Sequence, residues 1–311
     1  MKKIELHLHL DGSINVEYAN KLMGFDVKEQ LVGTNSTSLK NYLEKFALPG
    51  DLLQSYENIE EFSYLLGKDL ENDDVIYAEV RFCPLFHTKE ISVDRVILAI
   101  LLGFKRVPNV KINLIFCMMR HFSFEENLEI IKLTKKYLGR GVCGIDLAGD
   151  EAGFKTSNFK ELFDIVKKEN IPFTIHSGEA DGVESLKSAI EFGAKRIGHG
   201  VRCVEDKNVL NLIKEKKIYL EVCPTSNLDT KIFSSIEKHS IKELVDNDIL
   251  VTINTDNRTV SNTNLDKEYS ILRDAFNFTV QDFIKFNLNA IDAAFISEEE
   301  KIELRNRLLD E

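Results

Sequence analysis

Two histidines flanking Leu8, His7 and His9, open a set of side chains able to do chemistry, and the set grows along the chain. Ile4, Leu6, Leu8 and Leu10 alternate with Glu5, His7, His9 and Asp11. Strand geometry therefore puts His7 and His9 on one face, about 6–7 Å apart along the strand. Two imidazoles so placed can chelate one metal ion, although a half-buried strand with its polar face to water reads the same way. His176 ends another short β-rich run, and Glu179 follows through Ser177-Gly178, where a glycine lets the backbone turn tightly. His199 stands between Gly198 and Gly200, which leave its ring exposed and let backbone approach a ligand. Asp256 closes the set after Val251-Thr252-Ile253-Asn254, though Asp-Asn is also ordinary turn chemistry. Singly, His176 and His199 each suit a hydrogen-bonded structural role. Delivered together to strand ends, these groups make a hydrolytic metal site. Three imidazoles and a carboxylate suit zinc, with one position open for water. Zinc lowers the pKa of such a water to about 7. The zinc site of cytidine deaminases is a different type, built on paired cysteines and His-x-Glu, and Cys223-Pro224 resembles it only superficially. His87, His121 and His239 lack strand-end partners and read as surface or rim residues.

The elements that must position these groups alternate. Strands are expected at Ile4–Leu10, Val75–Phe82, Lys111–Met118, Val142–Leu147, Pro172–His176, Arg196–Gly198, Tyr219–Val222 and Leu250–Asn254. Between them Phe159, Leu162, Phe163 and Val166 fall at helical spacing, and Val209, Leu212 and Ile213 begin the same pattern. Alternating β and α units imply an α/β fold with a parallel sheet, and eight of them suit a (β/α)8 TIM barrel. A doubly wound open sheet shares the spacing. The stretch from Gly12 to Asp74 is too long for one crossover, and residues near Leu39–Phe46 and Ile59–Leu70 look helical. An insertion after the first strand lies on the rim that carries the site, so it reads as a helical lid, with Leu43 and Phe46 placed either to line a pocket or simply to pack helices. After Asn264 the chain is helical. No linker or repeat divides it, and a single domain over residues 1–311 is expected.

With 43% hydrophobic and 29% charged residues the 311-residue chain has the composition of an ordinary globular protein. A net charge of −11 argues against nucleic acid or an anionic membrane as partner. The five cysteines are odd in number and lie mostly in apolar runs, as reduced thiols in a cytoplasmic protein would. Met1-Lys2-Lys3-Ile4-Glu5 leads into no apolar run, so a signal peptide is not expected, and no stretch has the ~20 apolar residues of a membrane span.

Lys3-Ile4-Glu5-Leu6-His7-Leu8-His9-Leu10-Asp11-Gly12 resembles the opening of the adenosine deaminase family. So do Asp146-Leu147-Ala148-Gly149-Asp150-Glu151, His176-Ser177-Gly178-Glu179, Ile197-Gly198-His199-Gly200, Cys223-Pro224-Thr225-Ser226-Asn227 and Asn254-Thr255-Asp256-Asn257, in the family's order. The ordered set is far more specific than any member. The resemblance implies an amidohydrolase barrel with one zinc ion per chain, held by His7, His9, His176 and Asp256. It implies Glu179 as proton donor to the purine N1 and His199 as the group that orients the hydroxide. It also implies Gly149 N–H at the purine N3 and Asp11 at the ribose 5′-hydroxyl. Asn257-Arg258 departs from the Asp-Pro of many members. N7 of a purine only accepts, so Asn257 would donate to it through its amide directly.

The activity so implied is hydrolytic deamination of adenosine, and of 2′-deoxyadenosine, to inosine and ammonia. The nearest alternative is deamination of adenine, methylthioadenosine or another adenosine derivative. Asp11 discriminates, because members acting on adenine commonly carry Glu there. An adenylate deaminase needs a basic phosphate pocket, and no basic cluster adjoins these motifs. A metal-dependent phosphoesterase also opens with His-x-His but needs more ligands, and a non-catalytic nucleoside-binding protein has no use for both Glu179 and His199. The partner expected is a small nucleoside; oligomeric state is not legible.

Overall fold

The computed structural model describes residues 1–33, 42 and 44–310. Among these, eight strands run β1 (Lys3–His9), β2 (Val75–Phe82), β3 (Lys111–Met119), β4 (Val142–Ala148), β5 (His176–Ser177), β6 (Arg196–His199), β7 (Tyr219–Val222) and β8 (Leu250–Ile253). They pair in parallel as two four-stranded halves, β1-β2-β3-β4 and β5-β6-β7-β8. Backbone bonds stitch the halves on both sides. Ile145 N–H donates to Pro172 O at 3.0 Å, and Thr174 N–H to Ile145 O at 3.1 Å. On the other side His9 N–H donates to Asp256 O at 2.7 Å, and Asp256 N–H to His7 O at 2.8 Å. The ring closes, and the open-sheet alternative falls with it. The expected strand Pro172–His176 is shorter than the sequence suggests: proline has no N–H for the ladder, and Phe173 makes only an isolated bridge.

Helices coat the barrel because their apolar residues recur on one face. In Phe124–Tyr137, Asn127, Ile130, Ile131 and Thr134 are buried, and a Ser123–Glu126 capping box fixes the start. The insertion after β1 is helical, as expected. It carries helices at Val16–Met23, Lys28–Leu31, Ala47–Leu52 and Tyr56–Asn72. Most of the helix expected near Leu39–Phe46, Leu43 included, lies outside the described residues, while Glu44–Phe46 forms a 3-10 turn. Three helices, Leu265–Phe276, Val280–Ala293 and Glu298–Leu309, follow β8. Among the described residues no helix is long and apolar enough to cross a membrane.

The barrel interior is charged. Arg81 on β2 donates to Asp146 on β4 and to Glu221 on β7, both at 2.9 Å. Arg196 on β6 donates to Glu221 at 2.6 Å and to Glu79 at 2.5 Å. All five are fully buried. Buried charges persist only when paired and hydrogen-bonded, and here each guanidinium meets two carboxylates. This network lies beneath the strand ends and reaches the histidines above it.

Candidate metal and active site

The C-terminal ends of β1, β5, β6 and β8 bring His7, His9, His176, His199 and Asp256 together. One ligand atom each from His7, His176, His199 and Asp256 lies within 4.8 Å of the others. His9 belongs to the same cluster: its Nε2 is 3.2 Å from His176 Nε2 and 3.3 Å from Asp256 Oδ1. His7 Nε2 stands 3.5 Å from the same carboxylate oxygen.

Backbone conformation aims these groups. His199 and Asp256 have φ of 62° and 61°, a region that ordinary residues seldom occupy and that recurs at functional sites. At Gly198 a Cβ would lie 3.0 Å from the His7 ring, so only glycine lets β6 approach the imidazole this closely. Gly178 has φ +71°, and the turn it makes carries Glu179 back towards His199, with 3.5 Å between Oε2 and Nε2.

The partners of the imidazoles decide what they offer. His7 Nδ1 lies 2.8 Å from Glu221, leaving Nε2 buried and without a partner. His176 Nδ1 stands 2.8 Å from Asp146, at ion-pair distance though off hydrogen-bond alignment. A carboxylate behind one ring nitrogen presents the lone pair of the other to a cation, the arrangement common around metal-bound histidines. Burial pushes the Asp256 carboxyl up, but the proximity of His7 and the other imidazoles outweighs this and holds it well below the usual range. Ser226 donates to it at 2.5 Å. Burial, followed by repulsion from neighbouring imidazoles, keeps His9 neutral, its pKa well below normal despite Asp256. Imidazoles gathered around a carboxylate fit a divalent metal ion, and the orphaned His7 nitrogen is what such an ion would satisfy.

The remaining expected residues line one cavity of about 610 Å³ over this cluster, including Asp11, Gly149, Glu179 and Asn257. Burial, aided by the charge of Asp256, pushes Glu179 up to about 7. Burial raises Asp11 to about 6, and its Oδ1 has no partner. Of the two lid residues singled out from the sequence, Phe46 lines the cavity.

Several residues escaped the sequence reading. Glu151 accepts from the backbone N–H groups of Gly178, Glu179, Ala180 and Asp181, and so fixes the loop that carries Glu179. Arg120 donates to His176 O at 2.7 Å. Tyr42, from the lid, meets Asn257 Nδ2 at 3.0 Å and Ser261 Oγ at 2.8 Å. His87 and His239 are not surface groups: both are buried, with His87 beside the cavity and His239 behind His199. Of Glu151, Arg120 and Tyr42, only Glu151 lies within a motif that the sequence singles out.

Comparison with known proteins settles the kinship. Residues 2–311 match the family model described as adenosine deaminase. The chain belongs to the adenosine deaminase family. It is 40% identical over 322 residues to an adenosine deaminase of Clostridium perfringens, covering 98% of this chain and 97% of the relative. An Arabidopsis N6-mAMP deaminase structure superposes with a TM-score of 0.89 at 26% identity, covering 100% and 98% of the two chains. An adenine deaminase structure from Arthrobacter aurescens has the same fold, with a TM-score of 0.89 at 22% identity over 99% and 98%. In this family context the barrel, the lid and the imidazole–carboxylate cluster form one assembly.

Proposed function

We propose that this chain is a zinc-dependent adenosine deaminase, converting adenosine and 2′-deoxyadenosine to inosine or 2′-deoxyinosine and ammonia in the cytoplasm, as one catalytic domain. His7, His9, His176 and Asp256 would hold one zinc ion, whose donor set of three imidazoles and a carboxylate it favours. Bound there, zinc supplies hydroxide at neutral pH by lowering the pKa of water to about 7.

The protein's own groups do the rest. Attack at C6 of the purine is slow unless electron density can leave towards N1. Glu179 holds the proton that N1 needs, because burial raises its carboxyl to about 7. Thr230 donates to its Oε1 at 3.2 Å and fixes the carboxyl's direction. His199 and Asp256 flank the attacking oxygen and orient it. Gly149 N–H meets N3, Asp11 accepts from the 5′-hydroxyl, and Asn257 faces N7. His9 lines the same cavity as Asp11 and also touches the ribose side of the substrate.

One arrangement carries this reading: the buried carboxyl of Glu179 stands outside the prospective ligand set yet lines the same cavity. Ammonia release should therefore be measured on adenosine, 2′-deoxyadenosine, adenine and adenosine 5′-monophosphate. The two nucleosides should be the good substrates. Equal or better turnover of adenine, or of the nucleotide, would overturn the substrate assignment.

A further inference from the structure

Behind His199, away from the cavity, a chain of hydrogen bonds runs to a main-chain amide. Ile241 N–H donates to His239 Nδ1 at 3.0 Å. His239 Nε2 lies 3.2 Å from Asn227 Oδ1, and Asn227 Nδ2 lies 3.1 Å from His199 Nδ1. All three side chains are buried. Ring nitrogens and amides are ambiguous in isolation, but a backbone N–H can only donate. That fixes His239 Nδ1 as an acceptor, so the proton of this imidazole sits on Nε2. His239 Nε2–H then requires the oxygen of Asn227 as acceptor, which turns the Asn227 NH2 towards His199. His199 Nδ1 must accept, and its proton is left on Nε2, which faces the cavity without a partner.

We infer that Asn227 and His239 are positioning residues which lock His199 in its Nε2–H tautomer, so that it presents a hydrogen-bond donor to the reacting centre and cannot be a metal ligand. The inference rests on the deaminase reading for what the donor does, though not for the tautomer itself. His7 and His176 are wired the opposite way, with Nδ1 towards a carboxylate and Nε2 free to coordinate. One crowded cluster thus contains imidazoles of two kinds, sorted by what stands behind each ring. This removes His199 from the tightest geometric group and leaves His9 as the third imidazole. A neutral Nε2–H donor beside the attacking oxygen orients its lone pair and stabilises charge that develops on it. Burial supports the assignment at the far end of the chain, since it depresses His239 to about 3 and keeps it neutral.

The test is long-range 1H–15N correlation on the zinc-loaded protein with 15N-labelled histidine, the His199 signals being assigned by their loss in His199→Gln. The expected pattern is an unprotonated Nδ1 and a protonated Nε2; a proton on Nδ1 overturns the proposal. Asn227→Asp offers His199 a carboxylate oxygen that only accepts, so its proton should move to Nδ1. Removing one preorganised donor should then lower kcat by about 10²–10³-fold with KM within a few-fold. An unchanged tautomer in Asn227→Asp overturns the proposal too. If that variant does not fold, the His239 pair decides. His239→Gln keeps a donor for Asn227 and should hold the His199 proton on Nε2, whereas His239→Leu should leave it shared between the two nitrogens. Identical His199 signals in both would sink the chain as the lock. If the tautomers behave as expected but the unmutated protein deaminates no purine nucleoside, the functional reading fails and the wiring stands.

Discussion

His176 Nδ1 stands 2.8 Å from Asp146 Oδ2, and Arg81 holds the same carboxylate oxygen at 2.9 Å. The guanidinium also grips Glu221, which in turn holds His7. Two prospective ligands from different strands are therefore fixed through one buried arginine. Burial opposes ionisation of Asp146, but the His176 imidazole and Arg81 outweigh it and hold the carboxyl well below its ordinary range. Asp146→Asn loses the charge behind His176, and metal affinity should fall by about 10–100-fold. Competition with a calibrated chelator measures it. Unchanged affinity would mean that Asp146 serves only Arg81.

Metal binding and proton transfer should separate cleanly. His7→Ala and Asp256→Ala should lose both the ion, of which about one zinc per chain is expected by elemental analysis, and turnover. Glu179→Gln should keep the ion and lose at least ~100-fold in kcat, the usual scale for a positioned acid or base. Burial raises the Glu179 carboxyl to about 7, so its proton is present below that pH and is lost above it. Turnover should accordingly decline on the alkaline side in the unmutated protein, while the residual rate of Glu179→Gln stays level. Loss of zinc from Glu179→Gln would make Glu179 a ligand instead.

Much of this was legible in the sequence because strands and their ends carry local signals. Val75–Phe82 and Tyr219–Val222 have the bounds their apolar runs suggested. The helix Val16–Met23 is not among the expected elements although its signals are local: Asn15 caps it by accepting from Tyr18 N–H, and Gly24 ends it in the left-handed region. The contacts of Tyr42 and the burial of His87 and His239, which read as surface or rim residues, are illegible for a different reason. Tyr42 meets Asn257 across 215 positions, and His239 is buried by elements that no local pattern connects to it. Burial of a lone polar side chain is a tertiary fact, and periodicity says nothing about it.

Glu268 makes a prediction about stability. It accepts from Thr225 N–H at 3.1 Å and pairs with the Thr263 hydroxyl at 2.5 Å, and burial pushes its carboxyl from 4.5 up to about 7. The folded chain retains a proton that the unfolded chain releases. This stabilisation is full below pH 4.5 and is lost as pH rises through 7. Glu268→Gln cannot ionise, so relative to the unmutated protein it should gain stability between those limits, on the order of 3 kcal/mol. Urea titrations of both proteins at pH 5 and pH 8 read the difference directly. Equal gaps at the two pH values would show that Glu268 titrates alike in folded and unfolded chains.

The ribose end of the cavity should depend on Asp11. Its Oδ1 is buried without a donor, and burial raises its carboxyl to about 6. A substrate hydroxyl would supply the missing donor. Removing that group, as in 5′-deoxyadenosine, should lower kcat/KM by roughly 10–150-fold, the scale of about 1.5–3 kcal/mol for a hydrogen bond to a charged group. Asp11→Ala should close the gap. Equal kcat/KM for the two nucleosides in the unmutated protein would remove Asp11 from ribose recognition.

Asn257 carries the last prediction, and Tyr42 changes its terms. The expected donor to N7 is the side-chain NH2, yet Nδ2 points to the Tyr42 hydroxyl at 3.0 Å and Oδ1 is buried without a donor. Oδ1 lies so close over Gly12 that a Cβ there would fall 1.9 Å from it. Turning the amide end for end gives Oδ1 the Tyr42 hydroxyl as donor and releases Nδ2 for an acceptor, and Ser261 can then donate to Tyr42. A purine N7 is such an acceptor, so its arrival favours the turned amide. Replacing N7 by C–H leaves a buried donor unpaired, and the 7-deaza analogue of adenosine should lose about 1–3 kcal/mol in kcat/KM terms. Tyr42→Phe removes the group that holds the amide in either sense, so it should slow adenosine and narrow the gap to the 7-deaza analogue. Asn257→Asp must be protonated to donate, so its kcat/KM should fall at alkaline pH more steeply than that of the unmutated protein. If the 7-deaza analogue turns over as fast as adenosine and the two pH profiles coincide, Asn257 only shapes the turn after Asp256, with Tyr42 as its support.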